Sequence, residues 1–400
     1  MRSLTITSAF ASNHSSSTPG HIKTKEKAHK SLHPCSPRTF TNCSKNRASF
    51  RPPHNFIPKF PYPSHRHISL SKNIINQMLH TLQNSWSPST FEAYSRAVQS
   101  FGVFCDREKI ASHFRLPASE YLLSAYAASM AGRLSGNTIQ KHMTALKAWH
   151  NIHNVKWRGN THLRLIMKGA KNLTPSSSKK PPRPPIDHGM LTTLVQHLVL
   201  DDPLDAAIAA CASTAFWGQC RLGELLGNSR TCFDTTYIPD CNNLRRSMQS
   251  RSSNILHIPR TKTSRHGEDI ILVRQPGSTD PTSLMRHHLK VNSLDPHLPL
   301  FCYKTLNGPR TLTKRSFLGR CNAIWSILGH PSVTGHSFRI GGTTELLLAG
   351  VPPDVVKTMG RWKSDAFLRY WRHLDRVAPH HIKKCFNHRL SKLRRTANGG

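Results

Sequence analysis

Acidic residues are what this 400-residue chain has least of: 20 Asp and Glu stand against 56 Lys and Arg, a formal net charge of +36. Long hydrophobic runs are missing too. The longest apolar stretch, roughly Leu204 to Gly218, contains Asp205 and is too short to span a bilayer, which excludes a membrane-spanning protein. No two of the ten cysteines form a C-x-x-C pair. That argues against a zinc site or a disulfide framework, and for reduced thiols acting as small hydrophobes. No repeat of fixed period is visible.

What is present suits two folded regions with basic tails, since 400 residues exceed what one core usually organises. Residues 1–70 hold eleven Lys/Arg and one acid, and residues 376–400 hold seven and none. The remainder, about +19, lies on residues 71–375. A folded region that repels itself this strongly points to a polyanionic partner, of which nucleic acid is the commonest. A generic basic protein is the alternative on charge alone.

Residues 1–70 are Ser, His, Pro, Lys and Arg with few aliphatics, and read as a disordered basic arm. The first 25 residues lack acids, as transit peptides do, but show no helical apolar stripe. From Leu70 helical periods begin, first around Ile74–Leu82. Ser87-Pro88 then opens a helix through Phe91, Tyr94, Val98, Phe101 and Phe104. Tyr121–Met130 is another. Ser135 caps a third, with Ile139, Met143, Leu146 and Trp149 inward and Lys141, His142 and Lys147 outward. A fourth, near Thr161–Ala170, carries Arg164, Lys168 and Lys171. Residues 71–173 thus read as a small helical domain with basic outer faces, where Lys141, Lys147, Arg164 and Lys168 are candidate phosphate contacts.

Residues 174–186 are a Pro/Ser/Lys linker. Over residues 187–376 the pattern is mixed. Helices are expected at Asp187–Leu198, Pro203–Ala215, Leu222–Leu226, Leu312–Leu328, Ser337–Ala349, Pro353–Met359 and Ser364–Leu374. A hairpin is expected from Ile255–Pro259 and Ile270–Arg274, turning at Arg265-His266-Gly267. Residues 377–400 form a basic tail. The fold class is mainly α with a small β-sheet (α+β).

Four short motifs stand in order in the second half. Gly218-Gln219-Cys220-Arg221-Leu222-Gly223-Glu224-Leu225 joins two helices. Arg260-Thr261-Lys262-Thr263 ends the first hairpin strand. His336-Ser337-Phe338-Arg339 precedes Gly341-Gly342-Thr343 and a leucine-rich helix. Met359-Gly360-Arg361-Trp362 leads to a helix holding Tyr370. Each motif alone is weak, but four in this order are specific.

Over roughly residues 75–376 the chain resembles the tyrosine recombinase (phage-integrase-type) superfamily. It looks closest to the fungal transposon-borne members, which share a G-R-W-x-S-D-A-F-L-x-Y ending. The resemblance implies a helical core-binding domain, an integrase-like catalytic domain and Arg221, Lys262, His336, Arg339, Trp362 and Tyr370 as the catalytic set. It also implies double-stranded DNA as partner, a homo-oligomer (a tetrameric synapse in the family) and, for the fungal-type ending, a nuclear location. Three departures stand out. Gln219-Cys220 replaces small or aromatic residues, Pro352-Pro353 stiffens the turn after Gly350, and Trp362 precedes Tyr370 by only eight residues.

The chemistry can be reasoned from the residues beside that resemblance. Breaking a DNA phosphodiester needs a nucleophile, neutralisation of charge on the non-bridging oxygens and a proton for the departing 5′ oxygen. Arg221 and Arg339 suit the second task, because guanidinium forks match phosphate and stay charged. His336, three residues before Arg339, can orient the phosphate or take the nucleophile's proton. Lys262, with an ordinary pKa of about 10.4, suits donation to the leaving oxygen. Trp362 offers only a donor N–H. Glu224 pairs with an arginine and supports the site from behind. Tyr370, a phenol of pKa about 10, is the nucleophile and gives a 3′-phosphotyrosine. No metal, membrane or small-molecule cofactor is called for.

Each of these residues has a structural alternative. Phe367, Tyr370, Trp371 and Leu374 also fit an ordinary apolar helix face. The leading expectation is a mobile-element-derived recombinase. Its rivals are an inactive DNA-binding protein keeping the fold, a type IB topoisomerase-like relaxer and an unrelated RNA- or ribosome-associated protein.

Overall fold

Serine caps set out the first half. The computed structural model describes residues 70–364 apart from 180, 182, 231, 251, 262–263 and 294. It also describes 41–42, 56, 367–368 and seven positions between 378 and 390. After a short strand β1 (Thr41–Asn42), helices α1 (Lys72–Gln83), α2 (Pro88–Arg107), α3 (Glu120–Met130) and α4 (Gly136–Ile152) follow. Ser71, Ser87, Ser119 and Ser135 each accept a first-turn N–H with the side-chain oxygen, which satisfies one of the helix's orphan donors. α5 (Thr161–Asn172) uses a different device: the Glu120 carboxylate, at the start of α3, accepts the N–H groups of Asn160 at 2.7 Å and Leu163 at 3.1 Å. That one side chain ties two helix N-termini together.

The apolar stripes of α2, α3 and α4 meet in a core built on Phe101, Leu123, Tyr126, Ile139, Leu146 and Trp149. Phe56 is fully buried in it, edge-on to Phe91 with ring centroids 4.8 Å apart. The basic arm expected over residues 1–70 lies outside the described residues apart from 41–42 and Phe56. Lys141, Lys147, Arg164 and Lys168 all lie exposed, as their helical spacing predicts.

A second core, sharing no residue with the first, spans Ile186 to Val356. Its centre is α7 (Pro203–Trp217), apolar on every side and buried from Asp205 to Trp217; such a helix belongs in a core. Around it stand α6 (His188–His197), the short α8 (Leu222–Leu225), α9 (Pro281–Asn292), α10 (Lys314–Ile327), α11 (Gly335–Leu348) and α12 (Pro353–Met359). β2 (Cys232–Phe233) runs parallel to β1. β3 (Leu244–Arg246), β4 (Ser253–Ile258) and β5 (Glu268–Val273) form an antiparallel sheet in that order, with Ile255 opposite Ile271. Leu256, Ile258, Ile270 and Leu272 face inward from it. β6 (Cys302–Tyr303) pairs with β7 (Arg310–Thr311).

The mainly α architecture with small antiparallel sheets is the one expected. Six elements were not expected: the two-residue strands β1, β2, β6 and β7, and also β3 and α9. β3 is only three residues long with two exposed arginines, too short to show period-2 alternation. α9 begins on Asp280-Pro281, a cap and first-turn proline diluted by a polar run. The expected helix Ser364–Leu374 lies largely outside the described residues. No helix among the described residues is long and apolar enough to cross a membrane.

Candidate active site

The site begins where α7 ends. Gln219 takes a left-handed backbone, φ 48°, and the N–H groups of Gln219 and Cys220 close back onto the carbonyls of Phe216 and Ala215. This tight reversal delivers Arg221 to the start of α8. There the Glu224 carboxylate accepts the Arg221 backbone N–H at 3.0 Å and its Nη1 at 2.6 Å. One side chain therefore caps the helix and orients the arginine. Arg221 keeps 28% of its side chain open to solvent, whereas Glu224 keeps 5%.

Arg339 enters from α11, one turn after the half-buried His336. The two glycines that follow let α11 press against its neighbours. A Cβ on Gly341 would lie 1.7 Å from the Ile186 carbonyl oxygen, and one on Gly342 would lie 1.9 Å from that of Phe216. Any side chain there would push Arg339 away from the α7–α8 turn. Arg339 is fully buried. Its Nη1 donates to the Gln219 carbonyl at 2.6 Å and its Nη2 to the Gly360 carbonyl, while the guanidinium lies 4.2 Å from the centroid of the Trp362 ring. The Thr343 hydroxyl sits 2.7 Å from the Arg339 carbonyl and 3.0 Å from the Gln219 side-chain oxygen. Burial, and then the neighbouring Arg221 and Arg361 cations, pull the Arg339 pKa down to about 10. It remains charged at neutral pH.

Two of the Arg339 N–H groups are thus taken by main-chain carbonyls, and among the described residues its buried Nε has no hydrogen-bond partner. The Trp362 ring face receives Arg339 and tilts against Phe367 at 5.9 Å. Gly360 makes room for that ring, since a Cβ would fall 1.6 Å from it.

Arg361 is the residue sequence reasoning missed. Its backbone is left-handed, φ 58°, a conformation costing about 1–2 kcal/mol for a side chain with a Cβ. Its Nη2 pairs with Glu224 at 2.7 Å, its Nε lies 3.7 Å from Glu268, and 6% of its side chain is exposed. The available signal was an arginine inside the Gly360-Arg361-Trp362 motif; its partners on α8 and β5 carry no sequence mark. Burial pushes the Glu224 carboxyl up, but Arg361 and the Arg221 hydrogen bonds outweigh it and hold it below the usual carboxylate range.

The structure thus brings together Arg221, Glu224, Arg339 and Trp362, with His336 one turn before Arg339. Lys262 and Tyr370 lie outside the described residues. Lys141, Lys147, Arg164 and Lys168 belong to α4 and α5 and take no part in this cluster. Among the described residues no group of His, Cys, Asp and Glu could hold a metal ion. Three guanidiniums against the carboxylates of Glu224 and Glu268 leave the cluster net positive, a setting that suits an anion.

No family model matches the chain, and no curated protein does. Solved structures do. The chain is similar to the XerH site-specific recombinase bound to palindromic difH substrate in a post-cleavage complex. That likeness has a TM-score of 0.51 at 13% identity, over 79% of this chain and 90% of that one. It is also similar to the Tn1549 transposon integrase in complex with circular intermediate DNA, at TM-score 0.46 and 15% identity, over 75% and 94%. The fold is that of the tyrosine recombinases.

Proposed function

We propose that the protein is a DNA recombinase, derived from a mobile element, that cuts and rejoins double-stranded DNA through a 3′-phosphotyrosine. The observation that carries this reading is the convergence of Arg221 and Arg339, from motifs more than a hundred residues apart, on one cationic cluster. In such a cluster the partly open Arg221 neutralises charge building on the non-bridging oxygens, and the buried Arg339 adds its positive field from behind. Tyr370 Oη attacks phosphorus and its proton passes to His336. The P–O5′ bond breaks, and Lys262 protonates the departing oxygen. Phosphodiester energy stays in the tyrosyl ester, so rejoining needs no external energy source. Residues 71–173 and 187–376 act as the two arms of a clamp joined by the 174–186 linker, working as a homo-oligomer in the nucleus.

The test is a suicide DNA substrate. The wild type is expected to give an SDS-resistant protein–DNA adduct that Tyr370→Phe abolishes; absence of any adduct from the wild type defeats the reading. A second reading, an inactive DNA-binding protein that keeps the fold, draws on the complete burial of Arg339. Salt-dependent DNA binding with no covalent product would favour it.

A further inference from the structure

We infer that Arg361 is a positioning residue for this site, holding Glu224 by one oxygen so that the other keeps Arg221 aimed at the scissile phosphate. The inference rests on the recombinase reading and assigns a role to a side chain outside the motif residues named for it.

Four observations meet at Arg361. It directly precedes Trp362, on the segment that leads to Tyr370. Its left-handed backbone would suit glycine better, yet an arginine stands there. The side chain is almost wholly enclosed, and it engages two carboxylates in a chain that has few to offer. Those carboxylates come from two different elements, Glu224 on α8 and Glu268 on β5. The same guanidinium also reaches the Gly218 carbonyl at 3.5 Å.

The consequence concerns how Glu224 divides itself. Its Oε2 meets Arg361 and the Arg221 backbone N–H, while its Oε1 meets the Arg221 side chain. Without Arg361, the buried carboxylate would keep Arg221 as its one hydrogen-bonded cation, with Arg339 only beside it. Both oxygens would then close on Arg221, cancelling the charge the phosphate needs, or the carboxyl would take up a proton and release it. Arg361 prevents both outcomes. Its Nε also lies 3.7 Å from Glu268, so α8, β5 and the segment after α12 meet at one side chain.

The charged and titratable groups facing Glu224 are Arg221 and Cys220 at the α7–α8 turn, Arg339 on α11 and Arg361; Glu268 on β5 faces Arg361. The experiment compares Arg361→Gly, Arg361→Gln and Arg361→Lys in the adduct assay across pH. Arg361→Gly relaxes the backbone while removing the charge, so it separates the two roles. Expected are losses of about 100-fold in adduct rate for Gly and Gln, the scale of a small misplacement of reacting groups. Lys, which keeps a charge for Glu224, recovers most of the rate. In Arg361→Gln the Glu224 carboxyl loses its chief counter-charge, so the acid limb of the rate moves to higher pH; Glu224→Gln/Arg361→Gln has no such limb. Wild-type rates and an unmoved acid limb in Gly and Gln would overturn the inference while leaving the recombinase reading intact. If the wild type itself makes no Tyr370-dependent adduct, that reading falls, and amide exchange decides the strap. Faster exchange over residues 218–226 and 266–270 in Arg361→Gly upholds it; unchanged exchange rejects it.

Discussion

Between Ser87 and Asn172 the chain buries only Ser95, Ser124 and His150 among its polar residues, whereas between Ile186 and Val356 it buries Arg339, Glu224, Asp205, Asp280 and His288. The first region treats its polar core group as a neutral brace. His150 accepts the Ala118 N–H at 3.0 Å and donates to the Leu146 carbonyl at 2.7 Å, and burial lowers its pKa. The second region carries buried ions. Some are structural, such as Asp205, which receives the Arg320 fork at 3.0 and 2.7 Å. Glu224, held between two arginines beside a third, is not explained by packing. Buried charge is expensive to maintain and seldom improves stability over apolar packing. Its concentration at the α7–α8 turn coincides with the proposed site, while the first region offers a surface of exposed cations around an ordinary core.

The largest effect that can break this comparison is expected at Glu224. Glu224→Ala leaves Arg361 enclosed with only the more distant Glu268, and removal of one partner from a buried pair costs about 3–5 kcal/mol. Urea denaturation at neutral pH measures it. The pH dependence has a definite sign. The Glu224 carboxyl is held below its ordinary value, so the stability it contributes is present above that value and is lost as pH falls through the lowered one. The gap between wild type and Glu224→Ala therefore narrows in acid. A gap that stays constant down to low pH would mean the carboxylate is not what Arg361 and Arg221 hold.

A smaller effect belongs to the first region. Ser135 accepts the Thr138 N–H at 3.2 Å at the head of α4, and Ser135→Ala is expected to cost about 1 kcal/mol. Its independence from pH contrasts with Glu224 and sharpens the difference between a neutral and an ionic half. Thermal unfolding at two pH values checks it.

How much was legible follows the same division. Helix starts in the first region are written in adjacent residues: Ser87-Pro88 and Ser135 fall where the caps are, and Phe101 and Trp149 fall on the buried stripes. Local signals suffice because the interactions are local. In the second region motif order located Arg221, Glu224, Arg339 and Trp362, but not what they do to one another. That Arg339 would turn two N–H groups to the carbonyls of Gln219 and Gly360 depends on backbone reversals at positive φ and on the close approach permitted by Gly341 and Gly342. Arg361 was invisible for the same reason, since an ion pair between α8, β5 and the segment after α12 has no spacing to read. Phe56 escaped because Pro52, Pro53, Pro58 and Pro61 around it break any helical or strand period that would mark it as core.

The smallest effects on stability should come from the exposed cations of α4 and α5, and they carry the comparison's other half. Arg164, Lys168 and Lys171 recur at helical spacing along α5, and Lys141 and Lys147 stand outward on α4. Among the described residues none of Lys141, Lys147 or Lys168 is held in an ion pair, and Arg164 Nη2 donates to the Thr161 hydroxyl at 3.1 Å. Alanine at each should change stability by no more than about 0.5 kcal/mol. If these side chains meet phosphates, each substitution should weaken binding to duplexes of any sequence by a similar factor. Each should also reduce the slope of log affinity against log salt by about one. Fluorescence anisotropy at several salt concentrations reads both quantities. Unchanged slopes for all four would remove α4 and α5 from the DNA surface, leaving the first region's charge without a partner. A slope change at Arg339→Ala as large as those at the lysines would undo the contrast from the other side. A fully enclosed guanidinium should report on stability and strand cleavage, not on counterion release.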